Sequence, residues 1–557
     1  MSLEKSVFDK DKMQTLLLQE YGFHLNEMRH LPMGTANCYE ISCEEGKYFF
    51  KEYQKQFNVD DVKKETEVVE FLYSKGFPVA RFIKTISGDS CIVFEDHAIC
   101  IQEYLEGESY LNDLPHELLK DSAKYLGILH SALKDYPMET RLDEKWAESI
   151  SVDSVNKKYD RLISALENEK SDPNYSRIKE DFLFKKELFG HIEEMKKYFN
   201  GITYTPSHGD YTACQLICDG NHVKAVIDFS SASRLPAVWE IMRSYIQAGA
   251  CRDGQTFDIE DFAQYVKEYM KYAPLTKRDL EAMTYVYLFQ LSRSGYGYEE
   301  YLIDKTENKD DLLKFALWRT DICREVYKNA DAISEALLRL SENEKHYSCE
   351  EAYEMLTDKL SKFLGDSWVY VKSNNAFKKK TGDFVTHLYI WRSHYNTSYE
   401  DIVFNCDVAF NYKKERIMFY QFKEKYHIES ETTFNMSMMS LENYLRSDIL
   451  PVVDELNSDI NAVMKKMTSK DNFWKYHVNP KYLIDKLGKD ALTDLAKEIV
   501  DSMSDGDKAR VKDYLNGDTR ALGEGSAYIA FCENGLFDEL KYGKHKSLSD
   551  PCAFRFS

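Results

Sequence analysis

One segment limits what this chain can fold into more than any other. Residues 207–229 read Ser-His-Gly-Asp-Tyr-Thr-Ala-Cys-Gln-Leu-Ile-Cys-Asp-Gly-Asn-His-Val-Lys-Ala-Val-Ile-Asp-Phe. The pattern is that of a hairpin: an apolar run at Gln215-Leu216-Ile217, a polar turn at Asp219-Gly220-Asn221, and a second run from Val223 to Ile227. It puts two carboxylates, Asp210 and Asp228, at opposite ends of that hairpin. Two carboxylates presented from neighbouring loop ends suit phosphoryl transfer from a metal–nucleotide. One can orient an attacking hydroxyl and take its proton, and the other can hold the metal that neutralises the phosphates.

The sequence around the hairpin predicts an α+β chain. Short apolar or aromatic runs bounded by turn residues, at Cys38–Ser42, Tyr48–Tyr53, Ser90–Phe94 and Ala98–Tyr104, read as strands of a small sheet. Between them Val59–Lys75 reads as a helix that Gly76 stops. Beyond residue 108 the periodicity turns helical, at Leu118–Leu133, Val155–Glu167, Phe182–Phe199, Ile259–Met270, Lys277–Leu291 and Leu312–Leu340. A small sheet-rich lobe followed by a larger helical lobe that holds a hairpin is a kinase-like arrangement. Around 341–348 the sequence turns polar. A helix at Glu350–Leu364 ending at Gly365 follows, then strands at Ser367–Lys372, Phe384–Arg392, Ile402–Phe410 and Arg416–Phe422, spaced as an antiparallel meander. Helices are expected at Leu441–Met467 and Pro480–Met503. The domain boundaries implied are 1–107, 108–343 and 344–557.

The chain's 557 residues exceed what one hydrophobic core holds. Its formal charge is −21. Residues 1–344 carry 43 basic against 61 acidic groups, a net of −18, so the acidity belongs to the first part. That speaks against a nucleic-acid partner, because phosphate contacts need Lys and Arg. It is compatible with a cationic small substrate, although such acidity is more often a solvated surface. The twelve cysteines are scattered, with no C-x-x-C pair, so a reduced cytoplasmic setting is expected rather than a disulfide framework or zinc site. The N-terminal residues do not read as a signal peptide, and no run approaches the roughly 18 apolar residues of a membrane span.

His208-Gly209-Asp210, then Gln215, Ile227-Asp228-Phe229, Pro236 and Trp239-Glu240 together resemble the signature of the aminoglycoside phosphotransferase family. These are small-molecule kinases with a protein-kinase-like fold. The resemblance covers about residues 15–340. It implies ATP (or GTP) as phosphate donor, Mg2+, and a small-molecule acceptor. It implies Asp210 as the catalytic base, a role the physics also supports, since a carboxylate in hydrogen-bond reach aligns the hydroxyl with the γ-phosphate. A plain turn-capping Asp is the bland reading. Asp228 would hold the metal at the end of a buried strand, where a hard oxygen ligand suits magnesium. His208 reads as structural.

Gln215 departs from the family pattern, which has Asn at this position as second metal ligand. Gln keeps the amide carbonyl and adds one methylene, so it is carried over as a metal ligand with altered reach. The resemblance makes Lys51, on an aromatic-rich strand, the lysine that grips the phosphates. Glu65 becomes its acidic partner, with Glu67 on the same helix as competitor. Met33-Gly34-Thr35-Ala36-Asn37 resembles the nucleotide-covering loop, giving Gly34, Thr35 and Asn37 as nucleotide contacts. Residues 101–107 resemble the interlobe hinge, with Glu103 and Leu105 beside the adenine through backbone groups.

Trp239, Glu240 and Arg243 are expected to pack the catalytic loop. The acceptor site is expected within about residues 245–300, where Tyr285, Tyr287, Tyr296 and Tyr298 could line it. The last domain carries no motif. His387, His394 and Cys406 lack ligand spacing, Lys378-Lys379-Lys380 reads as a turn, and Trp368, Tyr370, Phe384, Tyr389 and Trp391 form one sheet face or a partner surface. The leading function is an ATP-dependent phosphotransferase to a small-molecule hydroxyl. The alternative is a nucleotide-binding regulator with weak catalysis, whose C-terminal domain meets a protein partner.

Overall fold

The computed structural model describes residues 5–31, 36–55, 57, 59–111, 114–250, 257–342, 346–393, 396, 402–458, 460–502, 504 and 506. The chain forms two compact units, Met1–Lys345 and His346–Ser557.

The first unit begins with α1 (Lys10–Leu16) and strands β1 (Leu25–Leu31), β2 (Asn37–Cys43) and β3 (Gly46–Glu52). Helix α2 (Val59–Ser74) follows, then β4 (Ile92–Phe94) and β5 (His97–Glu103). The strands form one antiparallel sheet in the order β1-β2-β3-β5-β4. Its two faces are filled by the alternation of side chains along each strand. Phe50, Ile99 and Ile101 pack with Met13 and Leu16 of α1. On the other face Ala98 and Cys100 pack with Val62, Val69 and Leu72 of α2. Lys51, one residue past Phe50, therefore turns toward α2. The helix ends where expected, with Gly76 in the left-handed region at φ 74°. Strand β1 and helix α1 have no counterpart in the sequence reading. The β1 run, Leu-Asn-Glu-Met-Arg-His-Leu, is mostly polar and lies at the sheet edge.

The helical lobe contains α3 (His116–Leu133), α4 (Glu144–Ser149), α5 (Val152–Glu167), α6 (Tyr175–Phe189) and α7 (Ile192–Lys196). Four short strands come next: β6 (Tyr204–Ser207), β7 (Leu216–Asp219), β8 (His222–Val226) and β9 (Ser233–Pro236). After them run α8 (Ala237–Tyr245), α9 (Ile259–Met270), α10 (Lys277–Arg293), α11 (Lys309–Lys328) and α12 (Ala330–Glu342). β7 and β8 pair as the expected hairpin, and β6 pairs with β9 around it. Gly220, in the turn, has φ 56°. Two expected helices are each split. The run from Phe182 breaks at Gly190-His191, and the run from Leu312 breaks at Asn329. Both halves bury the same side, so the apolar period crosses each break unseen.

The second unit opens with α13 (Cys349–Leu364). Its sheet comprises β10 (Trp368–Val371), β11 (Ala376–Thr381), β12 (Phe384–Arg392), β13 (Val403–Tyr412) and β14 (Glu415–Gln421), with β15 (Tyr426–His427) also paired to β13. Helices α14 (Glu431–Tyr444), α15 (Leu450–Ser458), α16 (Ile460–Lys466), α17 (Lys470–Lys475), α18 (Pro480–Leu487) and α19 (Thr493–Ser502) follow. Lys378-Lys379-Lys380 is strand, not turn: the three lysines pair with Val385, Thr386 and His387 in β11–β12. The long helices expected at 441–467 and 480–503 are shorter pieces, the latter interrupted by Gly488 at φ 80°. Met503 and His394 lie outside the described residues. No described helix is long and apolar enough to cross a membrane.

Leu72, on the helix α2 that also carries Glu65, is fully buried. Leu72→Ala should cost about 2–5 kcal/mol, read as a lower urea midpoint for the full chain. An unchanged midpoint would mean that α2 is not held by this core.

Candidate active site

Three segments bring the charged groups together. Lys51 Nζ lies 3.0 Å from Asp228 Oδ1 and 3.7 Å from Glu65 Oε1. The lysine comes from β3, the glutamate from α2, and the aspartate from the end of β8. Glu65 also accepts a bond from the Tyr53 hydroxyl at 2.7 Å. Glu67, its competitor on the same helix, is exposed. Burial alone would lower the pKa of the Lys51 ammonium, but Glu65 and Asp228 outweigh it and hold the value above that of an ordinary lysine. Burial raises the Glu65 carboxyl above the usual range against the pull of Lys51. For Asp228 the balance goes the other way. Burial would raise it, and Lys51 brings it down to about 2.

Asp228 sits in the left-handed region at φ 61°, ψ 70°. A non-glycine residue there carries strain of about 1 kcal/mol or more. Its loop is tied to that of Asp210 through His208. The buried imidazole donates from Nε2 to the Ile227 carbonyl at 2.9 Å and accepts from the Asp210 N–H at Nδ1, 3.2 Å away. These two bonds set the neutral tautomer and join the ends of the hairpin.

Glu240, at the first turn of α8, fixes the other side of the loop. Its carboxylate accepts from the His208 and Gly209 N–H groups at 3.1 and 2.6 Å, and from His130 Nε2 at 2.9 Å. Burial would raise the Glu240 carboxyl, yet the bond and charge of His130 hold it below the ordinary value. His130 is in turn bonded to the Tyr269 hydroxyl at 2.7 Å. Gly209 is required for steric reasons. Its φ is 81°, and a Cβ there would stand 2.1 Å from the Ser231 carbonyl oxygen.

Asp210 Oδ1 accepts from Arg243 Nη2 at 2.5 Å, and Gln215 Nε2 approaches Oδ2 at 3.4 Å. Asp228 and Gln215 supply hard oxygen donors, a carboxylate and an amide carbonyl, of the kind magnesium accepts. Gln215 is held at the start of the hairpin by its backbone, which donates to the Thr212 carbonyl and accepts from the Ile227 N–H.

The remaining expected positions are divided. Gly34 and Thr35 lie outside the described residues. Asn37 opens β2 and is buried. Glu103 ends β5, where its N–H donates to the Arg81 carbonyl. Leu105 follows in the short connector that leads to Glu108, which pairs with Cys218 of β7. A cavity of about 250 Å3 is lined by Arg243, the residue that bonds Asp210, with Trp239, Tyr287 and Tyr296 among its other walls. Tyr285 and Tyr298 do not line it. The first stacks on Tyr198 and bonds Asp331, and the second is buried against Asp181. Arg243, expected to pack against this loop, does so by bonding the candidate base directly.

The first unit thus has a kinase-like arrangement, a small sheet-rich lobe followed by a larger helical lobe that holds the hairpin. Residues 27–275 match the model of the phosphotransferase enzyme family. The match covers a little under half of the chain and none of the second unit. Similar solved structures include a spectinomycin phosphotransferase in complex with ADP and spectinomycin. It is 15% identical, the alignment covers 59% of this chain and 100% of that one, and the TM-score is 0.44. An amicoumacin kinase in complex with AMP-PNP, Ca2+ and amicoumacin is 14% identical over 57% and 95% of the two chains, with a TM-score of 0.42. An aminoglycoside phosphotransferase from Alicyclobacillus acidocaldarius is 13% identical over 61% and 98%, with a TM-score of 0.44. No curated protein sequence matches the chain.

Two outcomes test this geometry. Gly209→Ala should lower stability by about 2 kcal/mol or more through backbone strain and overlap, read as a shifted denaturation midpoint. Asp228 has a depressed folded pKa. The stability from its pair with Lys51 is therefore complete above the unfolded value of about 4 and is lost as pH falls toward about 2. The stability difference between wild type and Asp228→Asn should shrink over that window in acid-titrated circular dichroism, and a difference that grew would contradict the ion pair.

Proposed function

We propose that the protein is a magnesium- and ATP-dependent phosphotransferase that moves the γ-phosphate to a hydroxyl group of a small molecule. The observation that carries this reading is the convergence of Lys51, Glu65 and Asp228 within 3.0–3.7 Å. Asp210 stands on a loop tied to the same strand end by His208. Lys51, paired with Glu65, places a fixed positive charge for the donor phosphates. Asp228 and Gln215 would hold the metal, which supplies charge neutralisation on the phosphates when bound. The acceptor hydroxyl meets Asp210 at Oδ2, where it displaces the long 3.4 Å contact from Gln215, because Arg243 holds Oδ1 at 2.5 Å. An acceptor O–P bond forms as the bridging oxygen bond between the β- and γ-phosphorus breaks. The nucleoside diphosphate leaves with that electron pair, and the hydroxyl proton passes to Asp210 and then to solvent. The nine described cysteines are all free, which fits the reduced setting of a cytoplasmic enzyme.

A regulator that binds nucleotide with little catalysis is supported by one observation. Both oxygens of Asp210 already have partners, Arg243 and Gln215. The two readings separate on turnover. Asp210→Asn should lower kcat by about 10^2–10^4-fold while nucleotide binding by calorimetry is kept. Lys51→Met should weaken nucleotide binding itself. Wild-type turnover near the background level, with a strong rise in Gln215→Asn, would favour the regulator.

A further inference from the structure

The cavity that Arg243 joins to Asp210 differs in charge from the first part of the chain as a whole. Although residues 1–344 carry a net charge of −18, none of the described residues lining this cavity is a carboxylate, and two are arginines, Arg243 and Arg319. Arg319 makes no ion pair with a described carboxylate. One of its Nη groups donates to Ser294 Oγ, and its guanidinium lies over the rings of Phe315 and Tyr296 at 5.2 and 5.9 Å. The charged neighbour that acts on it is Arg243, a second cation. Behind the same wall the buried Lys185 Nζ donates to the Leu291 and Ser294 carbonyls at 3.3 and 2.9 Å, and burial together with Arg319 brings its pKa down to about 7. Asp210 balances the charge of Arg243, whereas Arg319 carries its charge without a described counter-ion, an arrangement that costs free energy unless something anionic completes it.

Three of the lining residues each carry a buried N–H with no acceptor among the described residues: Trp239 Nε1, Arg243 Nη1 and Arg319 Nε. Trp239 is nine-tenths buried. Orphaned donors on buried groups are rare in folded proteins, and three on one small cavity call for a ligand rich in acceptor oxygens. Arg243 joins this cavity to the chemistry, since it also holds Asp210 Oδ1. The volume of about 250 Å3 is small for a ligand site. It suits a compact metabolite.

We propose that the acceptor is a small hydroxylated anion, bearing a carboxylate or a phosphate monoester that Arg319 and Arg243 hold while one of its hydroxyls faces Asp210. This rests on the phosphotransferase reading and narrows it. It also reverses what the acidity of the chain favours on sequence grounds, a cationic substrate. The guanidinium fork suits either oxyanion. The aromatic side chains Tyr287, Tyr296 and Phe315 cover the carbon skeleton.

The test uses the full chain saturated with magnesium and AMP-PNP, so that the nucleotide site is filled. Thermal shift and calorimetric titrations compare molecules of one skeleton: glycerate, glycerol 3-phosphate, glycerol and 3-aminopropane-1,2-diol. A six-carbon series of gluconate, glucitol and glucamine repeats the comparison. The anionic members should bind about ten- to a hundredfold tighter than their neutral and ammonium analogues, the range of a charge-assisted bond. Glycerate against glycerol 3-phosphate decides which oxyanion is held. Arg319→Gln should erase the preference, and Arg319→Lys should keep part of it. Trp239→Phe, which removes one N–H and keeps the packing, should weaken the anion severalfold even if the arginine variants fold poorly. Equal binding across each series, preference for the ammonium member, or a preference unchanged in these variants would overturn the proposal. ADP release with ATP separates the two readings. Anion-selective binding without turnover would sink the phosphotransferase reading and leave the anion site standing. Turnover of the ammonium members would do the reverse.

Discussion

A single buried ammonium organises the first unit. Lys51 stands on a strand whose next residue back, Phe50, packs on the opposite face of the sheet. Its charge can be tolerated there only because two carboxylates from distant segments meet it. One comes from the helix behind the sheet and the other from the hairpin of the helical lobe. The ion pair therefore does more than neutralise a charge. It ties the small lobe to the large one at the place where a phosphate chain would lie, and it sets the ionisation of all three partners.

Around that centre the loop geometry is over-determined. Glu240 gathers two backbone N–H groups and a histidine, His208 links the ends of the hairpin, and Gly209 passes too close to Ser231 for any side chain. The strained backbone of Asp228 persists because these contacts outnumber the local preference of that residue. Arg243 then connects the loop to the cavity. Asp210, the loop and the cavity are thus all reached from one helix, α8, through residues three apart on one face. A change in that helix would reach all of them.

Much of this was legible beforehand where the signal was local. The H-G-D and I-D-F elements, the turn at Asp219-Gly220-Asn221 and the period of α9 sit in continuous sequence, so residue type and spacing suffice to read them. The breaks at Gly190 and Asn329 were not legible, since the apolar stripe runs on through them. The strand β11 was hidden by its three lysines, which look like a turn until pairing with β12 shows that strand content there is set by a neighbour. Arg319 gave no signal at all. It lies on a helix otherwise unremarkable in sequence, about a hundred residues beyond the motif.

By itself the sequence determined the class of chemistry: two carboxylates on a hairpin, a lysine on a strand and a helix to follow, each a local pattern of type and period. Tertiary structure alone decided the partners, choosing Glu65 over Glu67 by which side of α2 faces the sheet, and Arg243 over solvent for Asp210. It also decided that the cavity reached through Arg243 is lined by two arginines and no carboxylate among the described residues, in a chain of net negative charge. The physical reason is the same in each case. Composition and spacing fix what a residue can do, whereas charge balance depends on distance, and distances between segments far apart in sequence exist only once the chain has folded.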